Sequence, residues 1–174
     1  LSEGKELVLT GCLLGFTDRD DLPRRRGARP GDLIYSTGPF GLTSVAFKIL
    51  LEGREVSDER LRREALSSIF EPKAELRVGL SLVKHGLVNA SIDVSDGLAL
   101  SLHEISMRSK VKIIVEEVPL HEGVRDFAKE NGFDAVDLAL YEGGEEYELI
   151  FTIPAERAEE ACELVKGEGG KLFY

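Results

Sequence analysis

Three short stretches of this 174-residue chain carry residue types able to do chemistry. The first runs Ser91-Ile92-Asp93-Val94-Ser95-Asp96-Gly97-Leu98. Two carboxylates this close repel each other unless a cation or hydrogen bonds compensate. Magnesium takes one or two carboxylates together with phosphate oxygens and waters, and Asp93 with Asp96 suits that demand. On a strand end, Asp93 and Ser95 point the same way. Asp96 then falls at the start of the next helix, where it either holds a cation or caps the helix. Gly97 lets the backbone turn with no side chain in the way. The plain alternative is an N-cap supplied by Ser95 or Asp96, with Asp93 in a solvated turn.

The second stretch runs from Tyr141 through Gly143-Gly144-Glu145-Glu146-Tyr147-Glu148 into Leu149-Ile150-Phe151-Thr152. Two glycines permit close approach of the loop, and the acids follow before the strand is buried. It reads equally as a glycine turn into an edge strand with a solvated acidic face. The third is Arg24-Arg25-Arg26-Gly27-Ala28-Arg29-Pro30-Gly31-Asp32, followed by Ser36-Thr37-Gly38-Pro39-Phe40-Gly41. Arginine can fork onto phosphate oxygens, and the glycines can offer backbone amides to an anion. Neither a Walker P-loop nor a GxGxxG order is present, and a basic surface loop is the alternative. His85, His103 and His121 have no metal-ligand spacing, and Cys12 and Cys162 suggest no disulfide framework.

The elements that must position these stretches are mixed α/β. Strand patterns run over 7–16, 32–37, 88–94, 111–115, 147–153 and 171–174. Helical patterns run over about 42–51, from a Ser57 cap to about 70, from Pro72 through Leu82 and Val83, from 97 to about 108, over 121–129 and 134–141, and from 154 to about 166. The expected fold is α/β of the α+β type, a mixed sheet packed against helices. Residues 1–174 read as a single domain, with both ends looking cut.

Hydrophobic residues make up 43% and charged residues 31%, a globular composition rather than a disordered one. A formal net charge of −10 argues against a general nucleic-acid binder, which needs a basic face. It leaves room for phosphorylated small molecules, because a bound magnesium ion reverses the local sign. No apolar run approaches a membrane span of roughly 20 residues, and the first residues do not read as a signal peptide. The expectation is a cytoplasmic protein without nucleic-acid or membrane partners.

Taken together, RRRGARPGD, STGPFG, SIDVSDGL and GGEEYELIFT resemble, in order and distance, the C-terminal half of thiamine-monophosphate kinases. These belong to the superfamily typified by aminoimidazole ribonucleotide synthetase, and the likeness runs along essentially the whole chain. VSDGL and GGE-x-YEL are its most specific part. The resemblance implies the C-terminal domain of that fold in a two-domain homodimeric enzyme. It implies ATP-dependent phosphorylation of thiamine phosphate to thiamine diphosphate, with Mg²⁺ and ATP bound.

Residue by residue, the resemblance makes Asp93 and Asp96 metal ligands, Ser95 and Arg25 ATP contacts, and Glu145 a contact to the thiamine end of the substrate. Arg26 stands where the family usually has serine, and Glu146 replaces its usual aspartate. Further metal-binding aspartates and a GGD loop belong to the missing N-terminal domain, and an aromatic residue that packs on thiamine lies beyond Tyr174. The chain alone is therefore expected to fold without catalysing. The implied reaction is in-line phosphoryl transfer driven by positioning and charge neutralisation. The rivals are another ATP-using enzyme of the superfamily, or a non-catalytic acidic module that binds metal or a partner.

Overall fold

The computed structural model describes residues 9–16, 22 and 24–174. A three-stranded sheet lies at its centre in the order β1–β3–β2, from β1 (Asp32–Ser36), β2 (Ala90–Asp93) and β3 (Leu149–Pro154). Both pairings are antiparallel, so within these strands the expected mixed sheet is antiparallel throughout. Among the described residues the one parallel contact is an isolated bridge, Phe40 to Leu120.

Among the described residues seven α-helices surround the sheet: α1 (Leu42–Glu52), α2 (Glu59–Phe70), α3 (Leu76–Lys84), α4 (Leu98–Ser109), α5 (Val124–Asn131), α6 (Ala135–Tyr141) and α7 (Ala158–Gly167). A short 3₁₀ turn, Ala155–Arg157, leads into the last. Central β3 is apolar almost without interruption because both its faces are covered. Ile150 packs with Ile92 and with Leu98, Leu102 and Ile105 of α4 on one side. On the other, Phe151 and Ile153 meet Val78 and Leu82 of α3 and Ala161 and Val165 of α7. A third cluster joins α1, α2, α5 and α6 through Val45, Leu61, Phe127 and Leu138. No helix among the described residues is long and apolar enough to cross a membrane.

Several expectations are corrected. The apolar run 7–16 is not a strand over its described part: residues 9–16 have no regular structure and Leu9, Leu13, Leu14 and Phe16 are exposed. A strand needs a neighbour for its backbone groups, and no described strand runs beside it. Residues 111–115 also form no strand; the Val111 amide instead bonds the Ser106 carbonyl at 3.2 Å, closing the end of α4. The terminal 171–174 pattern is reduced to a bridge between Phe173 and Ser36. Asp58, not Ser57, caps α2, accepting from the Arg60 amide at 2.8 Å. Helix α3 begins at Leu76 rather than Pro72, since 72–74 are exposed and bring nothing to bury.

Candidate functional site

Sheet register decides which loops meet. Asp93, the last residue of β2, pairs with Leu149, the first of β3, and Ser36, the last of β1, pairs with Ile150. Antiparallel pairing therefore brings the end of β2, the start of β3 and the end of β1 to one edge of the sheet. The loops carrying Val94–Gly97, Gly143–Glu148 and Thr37–Gly41 all emerge there.

The first two loops are stitched by backbone bonds. The amide of Glu145 donates to the Ser95 carbonyl at 2.7 Å, those of Glu146 and Tyr147 to the Val94 carbonyl at 3.1 Å each, and Val94 returns a bond to the Glu148 carbonyl at 2.8 Å. Gly97 starts α4 with φ +99°. No side chain caps this helix, so the N-cap reading of Ser95 and Asp96 fails. Asp96 is exposed and makes no hydrogen bond or ion pair with a described residue, leaving its carboxylate uncommitted.

The arginine segment reaches the same place by a different route. It runs beside the outer edge of β2, where the Ser91 amide donates to the Arg24 carbonyl at 3.0 Å. The amides of Gly27 and Ala28 are held by the Ser109 hydroxyl at 3.1 and 3.2 Å. A Cβ on Gly27 would stand 2.3 Å from the Asn89 carbonyl oxygen, so only glycine allows this approach. The guanidinium of Arg25 thereby lies 3.9 Å from the Asp93 carboxylate, both about half exposed. Such a pair contributes little stability and leaves both groups available.

Arg25, Asp93, Ser95 and Asp96 line one open cleft of about 200 Å³, together with Glu104 and Arg108 of α4. Arg24 and Arg26 do not line it, so the geometry selects Arg25 from the run of three. Glu104 and Arg108 escaped the sequence reading. Their ion pair, 2.6 Å, has the i,i+4 spacing of any surface helix, and that spacing was their only signal. Arg108 holds the Glu104 carboxyl below its usual range. A larger cavity of about 450 Å³ lies between β1 and residues 111–119; residues 28–32, Ser36 and Phe40 of the third stretch line it, but Arg25, Asp93, Ser95, Asp96 and Glu145 do not.

The side chain of Glu145 is exposed on the neighbouring loop. Glu146 and Glu148 do not form a solvated acidic face, and β3 is not an edge strand. Glu146 turns inward and accepts from the Gly41 amide at 2.8 Å and the Thr43 hydroxyl at 3.1 Å. Burial of this carboxylate pushes its pKa up to about 7, against the lowering effect of those bonds. The Gly41 amide is thus taken by the chain's own carboxylate rather than left for an external anion. Glu148 is also raised, chiefly by burial, and accepts from the Thr37 hydroxyl. A Cβ on Gly38 would collide with the Glu148 carboxylate, so this glycine makes room for the acid.

Among the described residues no group of three or more His, Cys, Asp or Glu could hold a metal ion. Asp93 and Asp96 are two carboxylates with a hydroxyl, Ser95, between them in sequence. Asp96 has no partner among the described residues and Asp93 is bound only loosely. That donor set fits magnesium, which completes its shell with phosphate oxygens and water, and does not fit an ion requiring an all-protein cage.

Known proteins resemble this chain in sequence and in fold. Residues 29–173 match the family described as AIR synthase related protein, C-terminal domain. A thiamine-monophosphate kinase of Methanopyrus kandleri is 38% identical over 177 residues, covering 98% of this chain and 55% of that protein. The chain spans about half the length of the curated relatives it matches. The crystal structure of thiamine-monophosphate kinase from Stenotrophomonas maltophilia K279a superposes with a TM-score of 0.75 at 28% identity, over 88% of this chain and 49% of that one. A structure described as AaThiL complexed with AMPPCP and TMP superposes with a TM-score of 0.64 at 33% identity, over 76% of this chain and 42% of that one.

Proposed function

For a chain that belongs to the AIR synthase related family, as its C-terminal domain, we propose the role of half the site at which ATP phosphorylates thiamine phosphate to thiamine diphosphate. The observation that carries this reading is the convergence of three motif loops at one sheet end, with Asp96 left uncommitted beside Asp93 and Arg25. Similarity to thiamine-monophosphate kinases, and a structural neighbour bound to AMPPCP and TMP, supports the choice of substrates.

In this reading Asp93 and Asp96 hold Mg²⁺, with Ser95 and Arg25 on the ATP phosphates. When bound, the metal neutralises charge on the phosphoryl group in transfer. Arg25 exchanges its loose partner Asp93 for phosphate oxygens, a stronger charge-assisted pairing. Glu145 faces the thiamine end of the substrate. The attacking phosphate oxygen of thiamine phosphate is already anionic, so no general base is needed and the residues act by placement. The remaining ligands come from an N-terminal domain, and the working enzyme is a cytoplasmic homodimer. The 174-residue chain by itself folds but does not turn over.

The test is an ATP assay of the two-domain enzyme with thiamine phosphate against a panel of other phosphate, carboxylate and amide acceptors. Selective formation of thiamine diphosphate is expected; preference for another acceptor overturns the substrate. Calorimetry with Mg²⁺ and AMPPCP separates an enzyme from a partner-binding module, which gives no nucleotide response.

A further inference from the structure

The loop after Gly143-Gly144 contains two of the three non-glycine residues with positive φ among the described residues, Glu145 at +56° and Tyr147 at +55°. The third, Lys110, closes the C-terminus of α4, where such a conformation is common. Residues with a Cβ adopt this region at a cost, and two of them flanking one position imply that something holds the loop there. Strain of this kind persists only where the surroundings over-determine it.

The residue between them is Glu146. Its side chain runs inward, opposite to the exposed Glu145, and its carboxylate accepts from both the Gly41 amide and the Thr43 hydroxyl at the start of α1. The Thr43 hydroxyl also stands 3.5 Å from the Gly144 amide, tying the glycine pair to the same helix start. The loop is thus pinned on two sides, by its amides to Val94 and Ser95 and by one part-buried carboxylate to the start of α1.

Resting on the function proposed above, we infer that Glu146 is a positioning residue for the substrate: it fixes the strained loop on α1 and so presents the Glu145 carboxylate to the thiamine end. It touches no substrate itself. The function of this position is mechanical, and it needs an acceptor oxygen at the right reach rather than a negative charge.

The test compares Glu146→Ala with Glu146→Gln in the two-domain enzyme. Loss of the acceptor in E146A is expected to raise KM for thiamine phosphate at least tenfold while KM for ATP changes less than threefold. E146Q, which keeps an acceptor oxygen, should recover most of that loss. Adding Glu145→Gln to E146A should raise KM little further, since both act through one contact. Equal loss for both substrates, or no recovery in E146Q, overturns the inference. Hydrogen–deuterium exchange gives a readout independent of the reaction. In E146A the amides of Glu145 and Tyr147 should exchange at least tenfold faster while those of α7 do not change. Unchanged exchange at 145–147 sinks the positioning role even if the enzyme makes thiamine diphosphate. Faster exchange with no thiamine diphosphate formed by the unaltered enzyme sinks the substrate assignment and leaves the clamp standing.

Discussion

Gly97 and Gly143 meet face to face: a Cβ on Gly97 would stand 2.7 Å from the Gly143 carbonyl oxygen. With φ at +99°, Gly97 also occupies backbone space that other residues rarely enter. The contact joins the loop carrying Asp96 to the loop carrying Glu145. Gly97→Ala should therefore cost about 1–3 kcal/mol of stability and impair both nucleotide and thiamine phosphate binding together. Denaturant titration and the two KM values check this. An alanine variant of ordinary stability with normal KM values would mean that the loops move apart without consequence.

Asp96→Asn should lower turnover of the two-domain enzyme at least about tenfold, about 1.4 kcal/mol, with the melting temperature nearly unchanged. The second half of that expectation follows from the helix start, where no side chain caps α4. Steady-state kinetics across a magnesium titration is the measurement. Near-normal activity at low Mg²⁺ would remove Asp96 from the metal site.

Glu145→Gln should raise KM for thiamine phosphate more than KM for ATP. The carboxylate is exposed and its loop differs from that of Asp96, though the two loops are joined by the Glu145 backbone amide, which donates to the Ser95 carbonyl at 2.7 Å. A selective loss of ATP affinity would put the glycine loop on the nucleotide side.

Glu146 predicts a pH dependence of stability. Burial raises its folded pKa to about 7, above its ordinary value of 4.5. Between those values the unfolded chain has released the proton while the folded chain keeps it, so stability falls as pH rises through this window. The full effect is at most about 3 kcal/mol, complete above pH 7 and absent below the unfolded value. Glu146→Gln has no such proton to lose. Denaturation midpoints from pH 5 to 8 should fall less steeply in the variant; parallel curves would show that Glu146 ionises without penalty.

Much of this molecule was written locally. The run 147–153 marked a strand, and helices over about 42–51, from Ser57 to about 70 and over 134–141 were legible from period and punctuation, each within a few residues of the observed element. Spacing also singled out Asp93, Ser95 and Asp96, because carboxylates and a glycine crowded at a strand–helix junction are a local property of the chain, whereas Glu145 took its role only from the family resemblance. The partnership of those residues was not local. Sheet order and antiparallel register brought residues 36–41, 93–97 and 143–148 to one end, and only that placement distinguished Arg25 from Arg24 and Arg26. The run 9–16 has the composition of a strand and no described neighbour to make it one, since backbone pairing needs a second chain segment that sequence pattern cannot supply. Glu146 illustrates the same limit. From sequence it was one acid among several before a strand; its inward direction comes from the start of α1, more than 100 positions away in the chain, where it accepts from the Gly41 amide and the Thr43 hydroxyl, and burial raises its pKa against those bonds.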